Sequence, residues 1–86
     1  MLPKQEHLLK SLRTREHEQL RAVLAQARAD AGLTQRDLAK RMREPHSFIG
    51  KIESGERRLD VVEFVAVAKA LKLDPIDLFT RFVRAS

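Results

Sequence analysis

The chain has no cysteine, so neither disulfides nor cysteine-ligated zinc can staple its fold. Tryptophan and tyrosine are absent and phenylalanine occurs four times, which argues against a surface that binds single strands by base stacking. No Gly-rich phosphate loop is present. No apolar run approaches the length of a membrane span, and the first residues, Met1-Leu2-Pro3-Lys4-Gln5-Glu6-His7, lack the apolar stretch of a signal peptide. The default is a cytoplasmic protein with no membrane partner. Catalytic groupings are missing too. His7, His17 and His46 have no ligand-like spacing with one another or with carboxylates, and the carboxylates sit at helix starts or on solvent faces. No enzyme activity, metal or cofactor is expected.

What is present is 86 residues with a net charge of +5. That length makes one domain with a modest core. The charge is compatible with a polyanionic partner without proving one.

The centre of the chain runs from Gly32 to Gly55 and predicts two short helices joined by a tight turn. Thr34 can cap the first, with Asp37 closing a capping box and Leu33 and Leu38 flanking it as a hydrophobic staple. Pro45 suits the first turn of the second, over 45–54, and Gly55 supplies a left-handed stop. Leu38, Ala39 and Met42 form one apolar stripe, and Phe48, Ile49 and Ile52 the other. The opposite face of the second helix carries His46, Ser47, Gly50, Lys51 and Ser54, small and polar, as if meant to lie against something polar.

Two more helix starts follow the same grammar. Asp60 with Glu63 forms a second capping box, with Leu59 and Phe64 as its staple; Asp74-Pro75 opens a third helix, with Leu73 stapled to Leu78. The helix over 61–71 is apolar nearly all round, so it is either the central core helix or meets a partner with its outer face. Ile76, Leu78, Phe79, Phe82 and Val83 give the last helix a broad apolar surface. Upstream, Thr14 is a candidate cap for a helix over 15–31, buried through Leu20, Val23, Leu24, Ala27 and Ala31 and stopped by Gly32. Residues 1–13 are a basic N-terminal arm or a short helix, and 14–86 the domain proper. No strand-like alternation interrupts the series, so the fold is all-α.

The pattern Thr34-Gln35-x-x-Leu38-Ala39, then Ile49-x-x-Ile52-Glu53-x-Gly55, resembles the helix-turn-helix of phage repressor and Cro-type (XRE-like) DNA-binding domains. The likeness covers roughly 20–79. It implies a five-helix bundle of the lambda-repressor-like type, whose second motif helix enters the major groove. One departure stands out: Arg43 occupies the turn position where the family usually has glycine, at a cost on the order of 1 kcal/mol if φ is positive there.

The resemblance also implies a site. His46, Ser47 and Lys51 fall at the groove-reading positions, and Lys51 can donate to guanine O6 and N7. Gln35, at the start of the first motif helix, falls where the family contacts a phosphate. Arg36, Arg43, Arg57 and Arg58 are further backbone candidates, with solvated charge as the alternative for each. Close approach to DNA would account for the bare Gly50. Arg28 and Glu53 occupy positions that pair as a salt bridge, which leaves Arg28 near the DNA backbone. The arm, with Lys4, Lys10 and Arg13, is either a solvated terminus or a contact to phosphates or the minor groove. The family's dimer contact implicates Phe79, Phe82 and Val83, and less directly the outer face of 61–71. The expected protein is a sequence-specific, double-stranded DNA-binding transcriptional regulator, a repressor and homodimer. The alternatives are an antitoxin that represses its own operon and also binds a toxin, a restriction–modification controller, or an interaction module that uses the fold only to bind protein; a toxin or other regulatory protein is a further partner.

Overall fold

Five helices follow one another in the computed structural model, which describes residues 2–85, with side chains from Arg15 to Ala85. They are α1 (Leu2–Asp30), α2 (Gln35–Arg41), α3 (Phe48–Ser54), α4 (Val61–Ala70) and α5 (Pro75–Ala85), with no strand among the described residues. None of these helices is long and apolar enough to cross a membrane.

The caps form as their residues dictate. The Thr34 hydroxyl accepts from the Asp37 N–H and the Asp37 carboxylate from the Thr34 N–H, each at 3.0 Å. That backbone N–H, then the Thr34 side chain, holds the Asp37 carboxyl below its ordinary value. Asp60 and Glu63 exchange the same pair of bonds at 2.7 and 3.1 Å. Asp74 accepts from the Ile76 N–H at 2.8 Å, one residue earlier than in a capping box.

Two boundaries differ from the sequence expectation. The first helix does not begin at Thr14, because the backbone is helical from Leu2 through Asp30. No glycine or proline stands between Pro3 and Gly32, and Pro3 falls in the first turn, where proline is tolerated. Thr14 is therefore interior, and the side chains of Lys4, His7, Lys10 and Arg13 lie outside the described residues. The second motif helix begins at Phe48, not Pro45. Residues 45–47 make a tight turn in which the Phe48 N–H donates to the Pro45 carbonyl at 3.0 Å, and Ser47 is the N-cap.

The core takes residues from every helix. Leu24, Ala27, Leu38, Ala39, Phe48, Ile49, Ile52, Phe64, Val67, Ala68, Leu71 and Leu78 are buried, with Leu38 and Leu78 almost wholly so. α1 packs on α3 and α5, α2 on α3 and α4, and α4 on α5. The inner face of α4 fills this core, while Val61 and Val62 on its outside are 79% and 78% exposed. At about 1.5 Å per residue, α1 alone is about 43 Å long, close to the 45 Å longest axis of the molecule. The globular part is therefore built on its C-terminal half.

Glu53 joins three of these helices. It accepts from Arg28 Nε at 2.7 Å and Nη2 at 2.9 Å, and from Gln35 Nε2 at 2.8 Å. Arg28 Nη1 donates to the Leu33 carbonyl at 2.8 Å, so each guanidinium nitrogen has a partner. The pair is mostly out of water, with side-chain exposures of 17% and 10%, and the hydrogen bonds to Glu53 raise the Arg28 pKa.

Three helices end in one backbone motif. After α1, α2 and α4 the chain turns through Gly32 (φ +74°), Arg43 (φ +58°) and Lys72 (φ +60°). In each case the next residue's N–H reaches back to the helix: Leu33 to the Arg28 carbonyl, Glu44 to Ala39 and Leu73 to Ala68.

Two stability predictions follow from these contacts. Lys72→Gly relieves about 1–2 kcal/mol of left-handed strain and gives back about 0.5–1 kcal/mol through the unfolded chain. A thermal melt should show Tm raised by a few degrees, whereas Lys72→Ala keeps the strain and should not raise it. Arg28→Ala leaves Glu53 half-buried without its cation and should cost about 2–4 kcal/mol in urea unfolding; Arg28→Met with Glu53→Met should cost less than Arg28→Ala alone. A double variant weaker than the single would mean that the pair stabilises by net attraction.

Candidate nucleic-acid interface

The outer face of the motif is built from what α3 does not bury. Phe48, Ile49 and Ile52 point into the core. His46, Ser47, Lys51 and Ser54 are exposed along the opposite side, with His46 and Ser47 in the turn that leads into α3. Ser47 caps α3 through its backbone only, in an αR conformation with no hydrogen bond from its side chain. Ser54 is spent locally: its hydroxyl donates to the Lys51 carbonyl at 3.1 Å and lies 3.0 Å from the Glu56 carboxylate.

Gly50 has a role in packing. A Cβ there would sit 3.1 Å from Gln35 Oε1. The missing side chain makes room for Gln35 on its way to Glu53, so Gly50 serves the packing of α2 against α3. Gln35 lies at the α2 N-terminus as expected, with its amide committed to Glu53.

The cations at the predicted site fall into two groups. Arg28 is engaged inside the domain, in the salt bridge to Glu53 that the resemblance implies. Arg57 is also engaged. It forms a two-pronged ion pair with Glu63 at 3.0 and 2.7 Å, donates to the Arg58 carbonyl at 2.9 Å, and lies over the Phe48 ring at 4.8 Å. Glu63 raises the Arg57 pKa; Arg57, then the Asp60 N–H, holds the Glu63 carboxyl below its ordinary value. That stabilisation is present above the ordinary carboxylate range and is lost as acid takes the pH down through the lowered native value.

The other group is uncommitted. Among the described residues, the side chains of Arg36, Arg43, His46, Ser47, Lys51 and Arg58 make no hydrogen bond or ion pair. The structure brings Arg36 and His46 to one open cleft between α2 and the turn, floored by Ala39 and Pro45 and also lined by Lys40, Asp37 and Glu44. Arg58 lies elsewhere, on a cavity it shares with Arg57 and with Arg21, a residue the sequence pattern does not single out. At the far end, Phe79 and Val83 are each 52% exposed and Phe82 is half-buried. Phe64, Phe79 and Phe82 run edge to face at 6.0 and 5.8 Å between ring centres.

The helix-turn-helix family model matches residues 24–78. Among curated proteins none matches significantly. Of the solved structures, an XRE-family like protein from Pseudomonas syringae pv. tomato str. DC3000 is 36% identical, with 90% of this chain and 94% of that one covered at a TM-score of 0.83. The clp gene regulator ClgR from C. glutamicum is 28% identical, covering 80% and 90% at 0.71. The wild-type restriction–modification controller protein C.Esp1396I is 23% identical, covering 81% and 90% at 0.76, a likeness of fold alone. The chain belongs to the helix-turn-helix family, of the XRE type.

Proposed function

We propose that this chain is a sequence-specific regulator of transcription that binds double-stranded DNA in the cytoplasm, as a repressor and as a homodimer. α3 and its preceding turn enter the major groove, and Lys51, His46 and Ser47 meet base edges. The observation that carries this reading is the outer face of the motif: its His46, Ser47 and Lys51 side chains are uncommitted while the helix beneath them is held by Glu53 and the core. Arg36, at the N-terminus of α2, and Arg43, in the turn after it, serve as phosphate contacts. Arg58 is a phosphate contact of the connection after α3.

The dimer reading rests on the apolar side chains that α4 and α5 leave exposed. Val61, Val62, Ile76, Phe79 and Val83 are large apolar side chains left in water. One short helix reads only a few base pairs, too little to find a site in a genome. Two copies about a two-fold axis place their reading helices roughly 34 Å apart, one turn of duplex. The outer faces of α4 and α5 are the surface for that pairing, in an isologous contact.

Affinity for a selected duplex should fall linearly in log K against log salt. Lys51→Ala should lose about 1–3 kcal/mol on the preferred site and relax one base position. Arg36→Ala should weaken all sequences alike and lower the salt slope by about one, whereas Arg57→Ala, whose cation already faces Glu63, should leave the slope unchanged. Binding indifferent to salt between about 50 and 200 mM would refute the nucleic-acid reading.

Sedimentation at micromolar concentration should find a dimer. Val83→Glu and Val61→Glu, both on exposed positions, should give folded monomers that bind the site weakly. A monomeric parent protein on a non-palindromic site would refute the pairing.

A further inference from the structure

A cavity of about 240 Å³ lies between α1 and the connection that follows α3. Leu20, Ile52 and Leu59 give it apolar lining, and Arg21, Arg57 and Arg58 line it as well. Arg57 is neutralised by Glu63. Arg21 is not: among the described residues it makes no hydrogen bond or ion pair, although it is half-buried. Its guanidinium rests on the backbone of Gly55, where a Cβ would sit 3.1 Å from both Cζ and Nη1. Gly55 therefore does two things. It takes the left-handed turn at φ +87°, and it leaves room for a cation folded back onto the exit of α3. The Arg58 side chain is likewise without a partner. Glu18 also lines the cavity, with its own side chain exposed.

The Arg21 guanidinium is held against Gly55 and partly out of water with no acceptor among the described residues, so a donor stands ready for an anion entering the cavity. Two uncommitted guanidinium groups beside an apolar lining match the anionic oxygens of a tetrahedral phosphate, which accept the planar fork of each arginine.

We propose that this cavity is a phosphate-binding site, with Arg21 and Arg58 as its hydrogen-bond donors. A phosphate held there ties α1 to residues 55–59 and so braces the C-terminal end of α3. The group can come from two sources, a phosphodiester of the duplex or a free phosphate. The second source is independent of the DNA reading; the first rests on it.

Two measurements on the full chain decide the matter. In the first, inorganic phosphate is titrated at constant ionic strength while amide resonances are followed. The expected result is saturable shifts confined to residues 55–59 and Arg21 Nε, weakened about ten- to a hundredfold in Arg21→Ala and in Arg58→Ala and unchanged in Arg84→Ala. In the second, the salt slope for a duplex is compared between the parent and Arg21→Ala. A slope lower by about one assigns the phosphate to the DNA backbone; an unchanged slope beside lost phosphate binding assigns it to a free anion. Phosphate binding with no duplex binding by the parent would sink the DNA reading and leave this site standing. Arg21→Lys keeps the charge without the fork and should recover only part of the affinity, which separates recognition from general attraction. Phosphate shifts that fail to saturate, or that persist in Arg21→Ala, together with an unchanged slope, overturn the proposal.

Discussion

Glu53 is the point at which α1, α2 and α3 meet. Its two carboxylate oxygens take the Arg28 fork, and one of them also takes the Gln35 amide. Arg28 in turn closes the α1–α2 connection by donating to the Leu33 carbonyl. Remove the carboxylate and three consequences follow together: Arg28 loses its partner, Gln35 loses its reason to cross Gly50, and α3 loses its lateral tether. An apolar replacement of the pair could hold the helices together, but it would not fix the rotation of α3 about its own axis. Directional hydrogen bonds to both oxygens do fix it. That rotation decides which side chains face outward, so the polar network sets the geometry of the reading face.

Much of this was legible in the sequence because it is local. A capping box needs two residues three apart, and Thr34 with Asp37 and Asp60 with Glu63 announce themselves. The apolar stripes of α2 and α3 follow from period alone. The left-handed turn at Arg43 was visible through the family resemblance, whereas its twin at Lys72 carries no such signal, because a lysine after a helix reads as an ordinary favourable C-terminal charge. Thr14 and Pro45 misled for the opposite reason. Both are sound start signals, yet a start signal is overridden when the preceding residues continue the helix, as before Thr14, or when a tight turn intervenes, as after Pro45. Gly50 looked like a place for DNA to approach. Only the path of Gln35, fifteen positions earlier, shows that the missing side chain also makes room within the domain.

The cations show most plainly where sequence reasoning stops. Arg28, Arg36, Arg43, Arg57 and Arg58 are identical in type, and net charge counts them equally. What separates them is whether a carboxylate lies within reach in space. Arg57 is paired with Glu63 six positions on, across a connection whose shape no period reports, and it is stacked on Phe48 besides. Arg36, Arg43 and Lys51 form no ion pair among the described residues. A ligand phosphate can be neutralised at little internal loss only by the second group, because a cation taken from an existing ion pair leaves its carboxylate behind. Charge available for binding is therefore smaller, and more localised, than the formal +5 of the chain implies.

A helix of seven residues has no stability of its own in water, since about two turns do not recover the cost of nucleation. α3 persists because it is held from three directions. Phe48, Ile49 and Ile52 anchor it below. Glu53 anchors the flank toward α1 and α2. On the other flank, the Arg57 guanidinium lies over Phe48 while its ion pair with Glu63 draws the following connection against α4. Only the fourth side, with Lys51 and the approach through His46 and Ser47, is left open. Ordering that would otherwise fall on the binding step is thus completed during folding, and a rigid reader loses less entropy when it meets its partner than a mobile one. Shortness then carries an advantage: two turns present few side chains, and nearly every one that is not structural faces the same way.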